Sequence, residues 1–314
     1  MAIERVVTLV GGVGGVKLAH GLAKVFPAKQ LTAIVNTGDD FWHMGLKICP
    51  DMDTVMYTLA GVVDPVNGWG VAGDTTAMLD MLRQYNGETW FRLGDRDLAT
   101  HLTRTAALRG GARLSEVTRR LASALGVKQT ILPMTDVDMP TMVDTVEHGE
   151  IAFQDYFVRH RWQPQVRGLR YANAASATIS DEVADAIIRA DAIIIAPSNP
   201  WLSIAPILSV PGMRDLLKRS RARRIAVTPI IGGQAVKGPT AKLMAELGYD
   251  VTPQTVTDFY GDLLDGFVYD SSDGVQKFAM AGRWARVTAM NTLMRTEADR
   301  AVLARAILTW MEQL

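Results

Sequence analysis

Cysteine is nearly absent: Cys49 stands alone among 314 residues. No disulfide can form within the chain, which suits a reducing compartment, so a cytoplasmic location is expected. With no second cysteine and no clear histidine partner, Cys49 reads as a buried structural thiol. There is no surplus charge of either sign, since 33 Lys and Arg balance 33 Asp and Glu. A non-specific nucleic-acid binder needs a basic surplus, so no nucleic-acid partner is expected. Long hydrophobic runs are missing too. The longest, Ala190 to Ala196, is broken by Asp191 and ended by Pro197. It falls far short of the roughly 18 apolar residues of a membrane span, so no membrane partner is expected. At the N-terminus a glutamate and an arginine precede an apolar run of about five residues, too short for a signal-peptide core. No repeat or low-complexity tract is present. The nearest thing to a charge block, Lys218 to Arg224, reads as a solvated helix end and loop.

What the chain does contain is core: 48% hydrophobic residues against 21% charged, the profile of a globular protein. Val6 to Val10, Leu31 to Val35, Ala192 to Ala196 and Ile225 to Thr228 are nearly continuous apolar runs. Runs of this length suit parallel strands buried on both faces. Helical spacing lies between them, as in Leu18, Leu22 and Val25, or Val183, Ala186, Ile187 and Ala190. This rhythm predicts an α/β fold, a doubly wound, mostly parallel Rossmann-like sheet. The middle differs: mostly helical from Met52 to Leu125, then short alternating runs from Gln129 to Tyr171. The expected organisation is a nucleotide-binding core over 1–50 and 172–314, carrying a helical and mixed insert over 51–171.

The first strand ends in Gly11-Gly12-Val13-Gly14-Gly15-Val16-Lys17 and runs into a helix. Glycines let the backbone approach a phosphate, and the N–H groups of a helix start point at the anion. The loop is neither standard form: a Rossmann fingerprint wants glycine where Lys17 sits, and a P-loop wants Gly-Lys-Ser/Thr. Gly11, Gly12, Gly14, Gly15 and Lys17 are therefore candidate phosphate-binding residues, the alternative being a tight strand-to-helix turn. The second strand ends in Val35-Asn36-Thr37-Gly38-Asp39-Asp40. Asn36, Thr37, Asp39 and Asp40 either face the same crevice, with an aspartate on a ribose or on the N–H edge of guanine, or serve as ordinary turn residues.

Cys49-Pro50-Asp51-Met52-Asp53 opens a helix. Asp51 and Asp53 read either as a cap and a first-turn acid, or as oxygen ligands for Mg²⁺. Acid clusters recur at Gly73-Asp74-Thr75-Thr76 and at Leu93 to His101, where Asp95 and Asp97 read as cap and salt-bridge residues. His101 lies one turn beyond Asp97, placed for a structural hydrogen bond or for proton transfer. Ala196-Pro197-Ser198-Asn199-Pro200 follows a buried strand, and Thr228-Pro229-Ile230-Ile231-Gly232-Gly233 follows the next, with Lys237-Gly238-Pro239 behind it. Ser198 and Asn199 offer polar groups in a stiff loop at the sheet edge. Tryptophans 42, 69, 90, 162 and 201 are scattered, with some placed to line a pocket for a flat ring.

Taken in order, GGVGGVKL (Gly11 to Leu18), VNTGDD, PDMDTVMYTL (Pro50 to Leu59), LGDRDLATH, FQDYFV (Phe153 to Val158), APSNP, SVPGMR (Ser209 to Arg214) and TPIIGG resemble the CofD family. These are the 2-phospho-L-lactate transferases of coenzyme F-420 biosynthesis, called FbiA in some bacteria. Any one motif is weak; eight in order are specific. The resemblance implies a guanosine diphosphate-linked donor carrying a phosphorylated three-carbon acid, and the deazaflavin FO as acceptor. FO's ribityl hydroxyl would attack the β-phosphate and release GMP. The resemblance further implies Mg²⁺ as cofactor and a homodimer. Asp51 and Asp53 then become the catalytic and metal-holding pair, and Asp53, Thr54, Arg92, Asp95 and Arg96 the acceptor side. The alternative is a non-catalytic nucleotide or nucleotide-sugar regulator resembling the YvcK type, whose Pro-Gly-Asp stretch differs from Pro50-Asp51-Met52-Asp53 here. An oxidoreductase is disfavoured by Lys17 at the third-glycine position.

Overall fold

The computed structural model describes residues 2–236, 238–273 and 286–314, so Lys237 lies outside the described residues. Val6–Val10 forms β1 and leads directly into helix α1, Gly12–Val25. Strand β2 (Leu31–Val35) is followed by a short hairpin, β3 (Phe41–His43) with β4 (Leu46–Ile48). Four helices come next: α2 (Pro50–Leu59), α3 (Ala77–Gln84), α4 (Asp95–Arg109) and α5 (Leu114–Ala124). Strand β5 (Thr130–Pro133) precedes a three-stranded antiparallel sheet of β6 (Thr141–Thr145), β7 (Gly149–Ala152) and β8 (Val166–Tyr171). Helix α6 (Asp181–Arg189) returns the chain to β9 (Ala192–Ile195). Helices α7 (Ala205–Ser209) and α8 (Met213–Arg219) lead to β10 (Arg223–Val227). A small hairpin, β11 (Ile230–Ile231) with β12 (Gln234–Ala235), precedes α9 (Thr240–Glu246) and α10 (Pro253–Tyr260). Strands β13 (Gly266–Asp270) and β14 (Arg286–Met290) and helix α11 (Glu297–Gln313) complete the chain.

The main sheet has seven strands in the order β14-β13-β10-β9-β1-β2-β5, all parallel. Its central strands are buried on both faces, which is why β1 and β9 are apolar without alternation. Side chains of β1 divide between two cores. Val7 and Leu9 join α6, α8 and the antiparallel sheet on one face, while Val6 and Val10 join α1, α2 and α11 on the other. Each fully buried aliphatic side chain contributes about 1.5–3 kcal/mol. The sheet also draws β5 from the stretch 51–171, pairing it with β2.

Strand order reverses at β1. From there the chain builds outward through β2 to β5, then returns to β9 on the other side of β1 and builds toward β14. The helices that follow β1 and β9 lie on opposite faces of the sheet, and the carboxyl ends of these two strands border a crevice, the place where open α/β sheets bind ligands. Helix α1 borders it and rests against α11, where a Cβ on Gly21 would lie 2.1 Å from the Arg300 carbonyl oxygen. Only glycine allows the two helices to come this close. No helix among the described residues is long and apolar enough to cross a membrane.

Candidate active site

The loop after β1 and the loop after β9 touch. The Gly11 N–H donates to Ser198 Oγ at 3.3 Å. A Cβ on Gly14 would meet the Pro197 carbonyl at 2.7 Å, and one on Gly15 would meet Ser198 Oγ at 2.2 Å. The glycines thus admit the opposing loop as well as a ligand. Asn199 accepts from the N–H groups of Trp201 and Leu202 and donates to Thr240 Oγ1, so it shapes the β9 loop. Lys17 Nζ donates to the Met294 carbonyl at 3.0 Å. These loops border a cavity of about 590 Å³ that contains Gly11, Gly12, Gly14, Lys17, Ser198 and Asn199 among its walls.

Its floor is acidic. Asn36 Nδ2 donates both to Asp39 Oδ1 and to Asp51 Oδ2, each at 2.9 Å. Asp51 Oδ1 accepts the Gly12 N–H at 2.8 Å. Asp51 therefore caps α1, the helix that opens the crevice, rather than its own helix α2, whose N-cap is Cys49 with Pro50 next. Burial pushes the Asp51 carboxyl up to about 6, with the bonds from Asn36 and Gly12 opposing. Burial, and then the Asp51 charge, push Asp39 well above the usual carboxylate range. Asp40 and Thr37 are also buried but are not among the cavity walls. The Asp40 carboxylate lies 3.9 Å from Lys47 Nζ, beneath the β3–β4 hairpin. Cys49 is buried as expected, and burial raises its thiol.

A second acidic group stands on α2 and α4. Asp97, His101 and Arg104 occupy one face of α4, at i, i+4 and i+7, and point at Asp53 on α2. Arg104 is completely buried and its guanidinium binds Asp53 Oδ1. A second Arg104 nitrogen lies 3.2 Å from His101 Nδ1. His101 Nε2 is 3.3 Å from Asp97 Oδ2, and Tyr57 donates to Asp97 Oδ1 at 2.7 Å. Burial raises Asp53, with Arg104 opposing most strongly. Burial likewise pushes Asp97 up, but His101 beside it, and then the hydrogen bond from Tyr57, bring it below the usual carboxylate range. One ligand atom from each of Asp53, Asp97 and His101 lies within 4.8 Å of the others. Asp53 Oδ2 is buried with no hydrogen-bond partner, an orphaned oxygen that a hard cation would satisfy. Both Asp51 oxygens, by contrast, already accept protein N–H groups. The residues present therefore fit a divalent cation at Asp53 and Asp97.

Of the other residues expected on the acceptor side, Thr54 and Arg92 line the cavity, with the Arg92 guanidinium 6.0 Å from the centre of the Trp69 ring. Asp95 does not line it. Asp95 caps α3 instead, accepting from Thr75 Oγ1, Ala77 N–H and Met78 N–H. Arg96 lies outside as well and donates to the Ala72 carbonyl. Trp69 and Trp90, with Phe91, Phe153 and Phe157, supply aromatic side chains to the cavity wall. Trp42 and Trp162 are exposed and Trp201 belongs to the core. Sequence reasoning missed Arg104. The signal was available in its i+7 spacing from Asp97.

Comparison with known proteins identifies a family and a fold. Residues 6–305 match the family described as 2-phospho-L-lactate transferase CofD. A 2-phospho-L-lactate transferase of Methanosarcina mazei is 39% identical over 297 residues, covering 95% of this chain and 97% of that protein. A phosphoenolpyruvate transferase of Kitasatospora aureofaciens is 40% identical over 316 residues, covering 99% and 98%. One from Nocardia farcinica is 41% identical over 281 residues, covering 86% and 85%. A crystal structure from Bacillus halodurans, of a UPF0052 family member, superposes with a TM-score of 0.68 over 98% of this chain and 99% of that one. At 17% identity this likeness shows a shared α/β fold. A match running nearly the whole length of the chain, at about two residues in five, places it plainly: the chain belongs to the CofD family of 2-phospho-L-lactate transferases.

Proposed function

We propose that this transferase moves a phosphorylated three-carbon acid from a guanosine diphosphate-linked donor to the ribityl hydroxyl of FO. The hydroxyl oxygen forms a bond to the β-phosphorus, the bond from that phosphorus to the bridging oxygen breaks, and GMP leaves. The observation that carries the reading is the crevice itself. Two loops in contact through residues 187 apart in sequence border a cavity lined by buried carboxylates and by aromatic side chains. The Gly12 to Gly15 turn and the start of α1 hold the diphosphate. The wall of Trp69, Trp90 and Phe91, drawn from the stretch 51–171, suits a flat deazaflavin ring. Asp51, raised to about 6, is poised near neutrality to take the hydroxyl proton. Mg²⁺ held by Asp53 and Asp97 would neutralise charge on the transferring phosphoryl oxygens. Relatives named for phospholactate and for phosphoenolpyruvate are about equally similar, so the acid is left to experiment.

The test is GMP release and product mass with FO and phospholactyl, phosphoenolpyruvyl or phosphoglyceryl donors in turn. A phosphodiester of FO with at least one of them is expected. Tight GDP binding with no GMP release from any donor would overturn the reading and favour a nucleotide-binding regulator.

A further inference from the structure

By composition alone, two aspartates and a histidine make a mixed oxygen and nitrogen donor set, one that suits a borderline metal such as Zn²⁺ as well as Mg²⁺. The hydrogen bonds decide otherwise. Arginine has donors and no acceptor. Its nitrogen, 3.2 Å from His101 Nδ1, can only donate, so Nδ1 is the accepting nitrogen and the ring proton sits on Nε2. That proton lies 3.3 Å from Asp97 Oδ2 but makes no aligned hydrogen bond to it. Asp53 Oδ2, at 3.7 Å from Nδ1, is beyond hydrogen-bond range and does not compete. Neither imidazole nitrogen then has a lone pair to give a metal. The same guanidinium also occupies Asp53 Oδ1, and Tyr57 occupies Asp97 Oδ1. What remains for a cation is one oxygen of each carboxylate.

We propose that Arg104 is the metal-specificity residue of this enzyme: by engaging His101 Nδ1 and Asp53 Oδ1 it removes nitrogen from the donor set and leaves an all-oxygen site for a hard cation. Arg104 touches no substrate, so it acts as a positioning residue. It is completely buried and, unlike Asp53, Asp97 and His101, is not among the cavity walls. The inference rests on the metal reading proposed above, and the experiment separates the two.

Mn²⁺ is the probe, bound to the full chain and followed by electron paramagnetic resonance. Loss of the free Mn²⁺ signal reports binding, and pulsed spectra report coordinated nitrogen. Wild-type protein should bind Mn²⁺ with no imidazole ¹⁴N coupling, and His101→Gln should give a superimposable spectrum. Arg104→Met should frees the imidazole, so ¹⁴N coupling should appear and Zn²⁺ should displace Mn²⁺ at about tenfold lower concentration. Imidazole ¹⁴N coupling in the wild type, a changed spectrum in His101→Gln, or Arg104→Met with bound Mn²⁺ and no nitrogen would each overturn the proposal. Failure of the wild type to bind Mn²⁺ at all would instead remove the metal reading, and this inference with it.

Discussion

Asp51 caps α1 and is proposed to act as the base, and its amide analogue separates the two roles. Its oxygens accept from the Gly12 N–H and from Asn36 Nδ2. In Asp51→Asn one of those positions becomes an NH₂ that faces a donor. The mismatch should cost about 1–3 kcal/mol of stability, and loss of the charge should slow GMP release about a hundredfold or more. A wild-type rate with only a lower melting temperature would restrict Asp51 to capping α1. Asp53→Asn should slow the reaction comparably, by weakening the cation site, and should also leave Arg104 without its charged partner in the interior. Asp40 makes a different prediction. Burial raises it to about 7, Lys47 opposing, whereas in the unfolded chain it titrates near 4. The folded protein thus holds more of this proton between about pH 4 and 7, and the group's contribution to stability falls as pH rises through that window. Asp40→Asn removes the slope. Its melting temperature should gain on wild type from pH 5 to 7.5, with no change in the preference for GDP over ADP. A pH-independent difference would show that the carboxyl is not raised. The Asp51 and Asp53 motif was legible because two acids at a helix start are conspicuous. Arg104 was not, because arginine is so rarely buried that its spacing from Asp97 carries weight only once the face of α4 is seen to turn inward.

At the scale of elements, the sheet strands and the helices between them could be read from continuous apolar runs, since a strand buried on both faces leaves no other pattern. Strand β5 was hidden: Thr130–Pro133 is four residues long and ends in proline, which costs it the signature of a central strand and suits the sheet edge it occupies. The caps were misread for a related reason. Asp51 and Asp95 each sit in the first turn of a helix, but each serves a neighbouring helix, α1 and α3 respectively, and that choice is made by tertiary packing. The glycine loop yields a prediction of its own. A Cβ on Gly14 meets the Pro197 backbone, which cannot swing aside as a side chain can. Gly14→Ala should therefore force the two loops apart, costing about 1–3 kcal/mol and weakening GDP binding along with it. Urea denaturation beside GDP titration checks this, and unchanged stability with weakened binding would mean that the residue faces only the ligand.

Across the whole molecule, the crevice belongs to both halves of the sheet, so a nucleotide bound there should order both. Hydrogen exchange with and without GDP should show protection of 11–17 and of 196–204 together, with the β6–β8 sheet unaffected. Protection confined to one loop would place the nucleotide elsewhere. The contact between Gly21 and the Arg300 carbonyl reaches further than packing. Helix α1 opens at Gly12 and α11 at Glu297, so their contact closes a loop spanning most of the sequence. Contacts this distant cost loop-closure entropy before any packing rewards them. The seam between the two helices is therefore expected to form late in folding, and until it does the face that α1 turns toward α11 stays open to water.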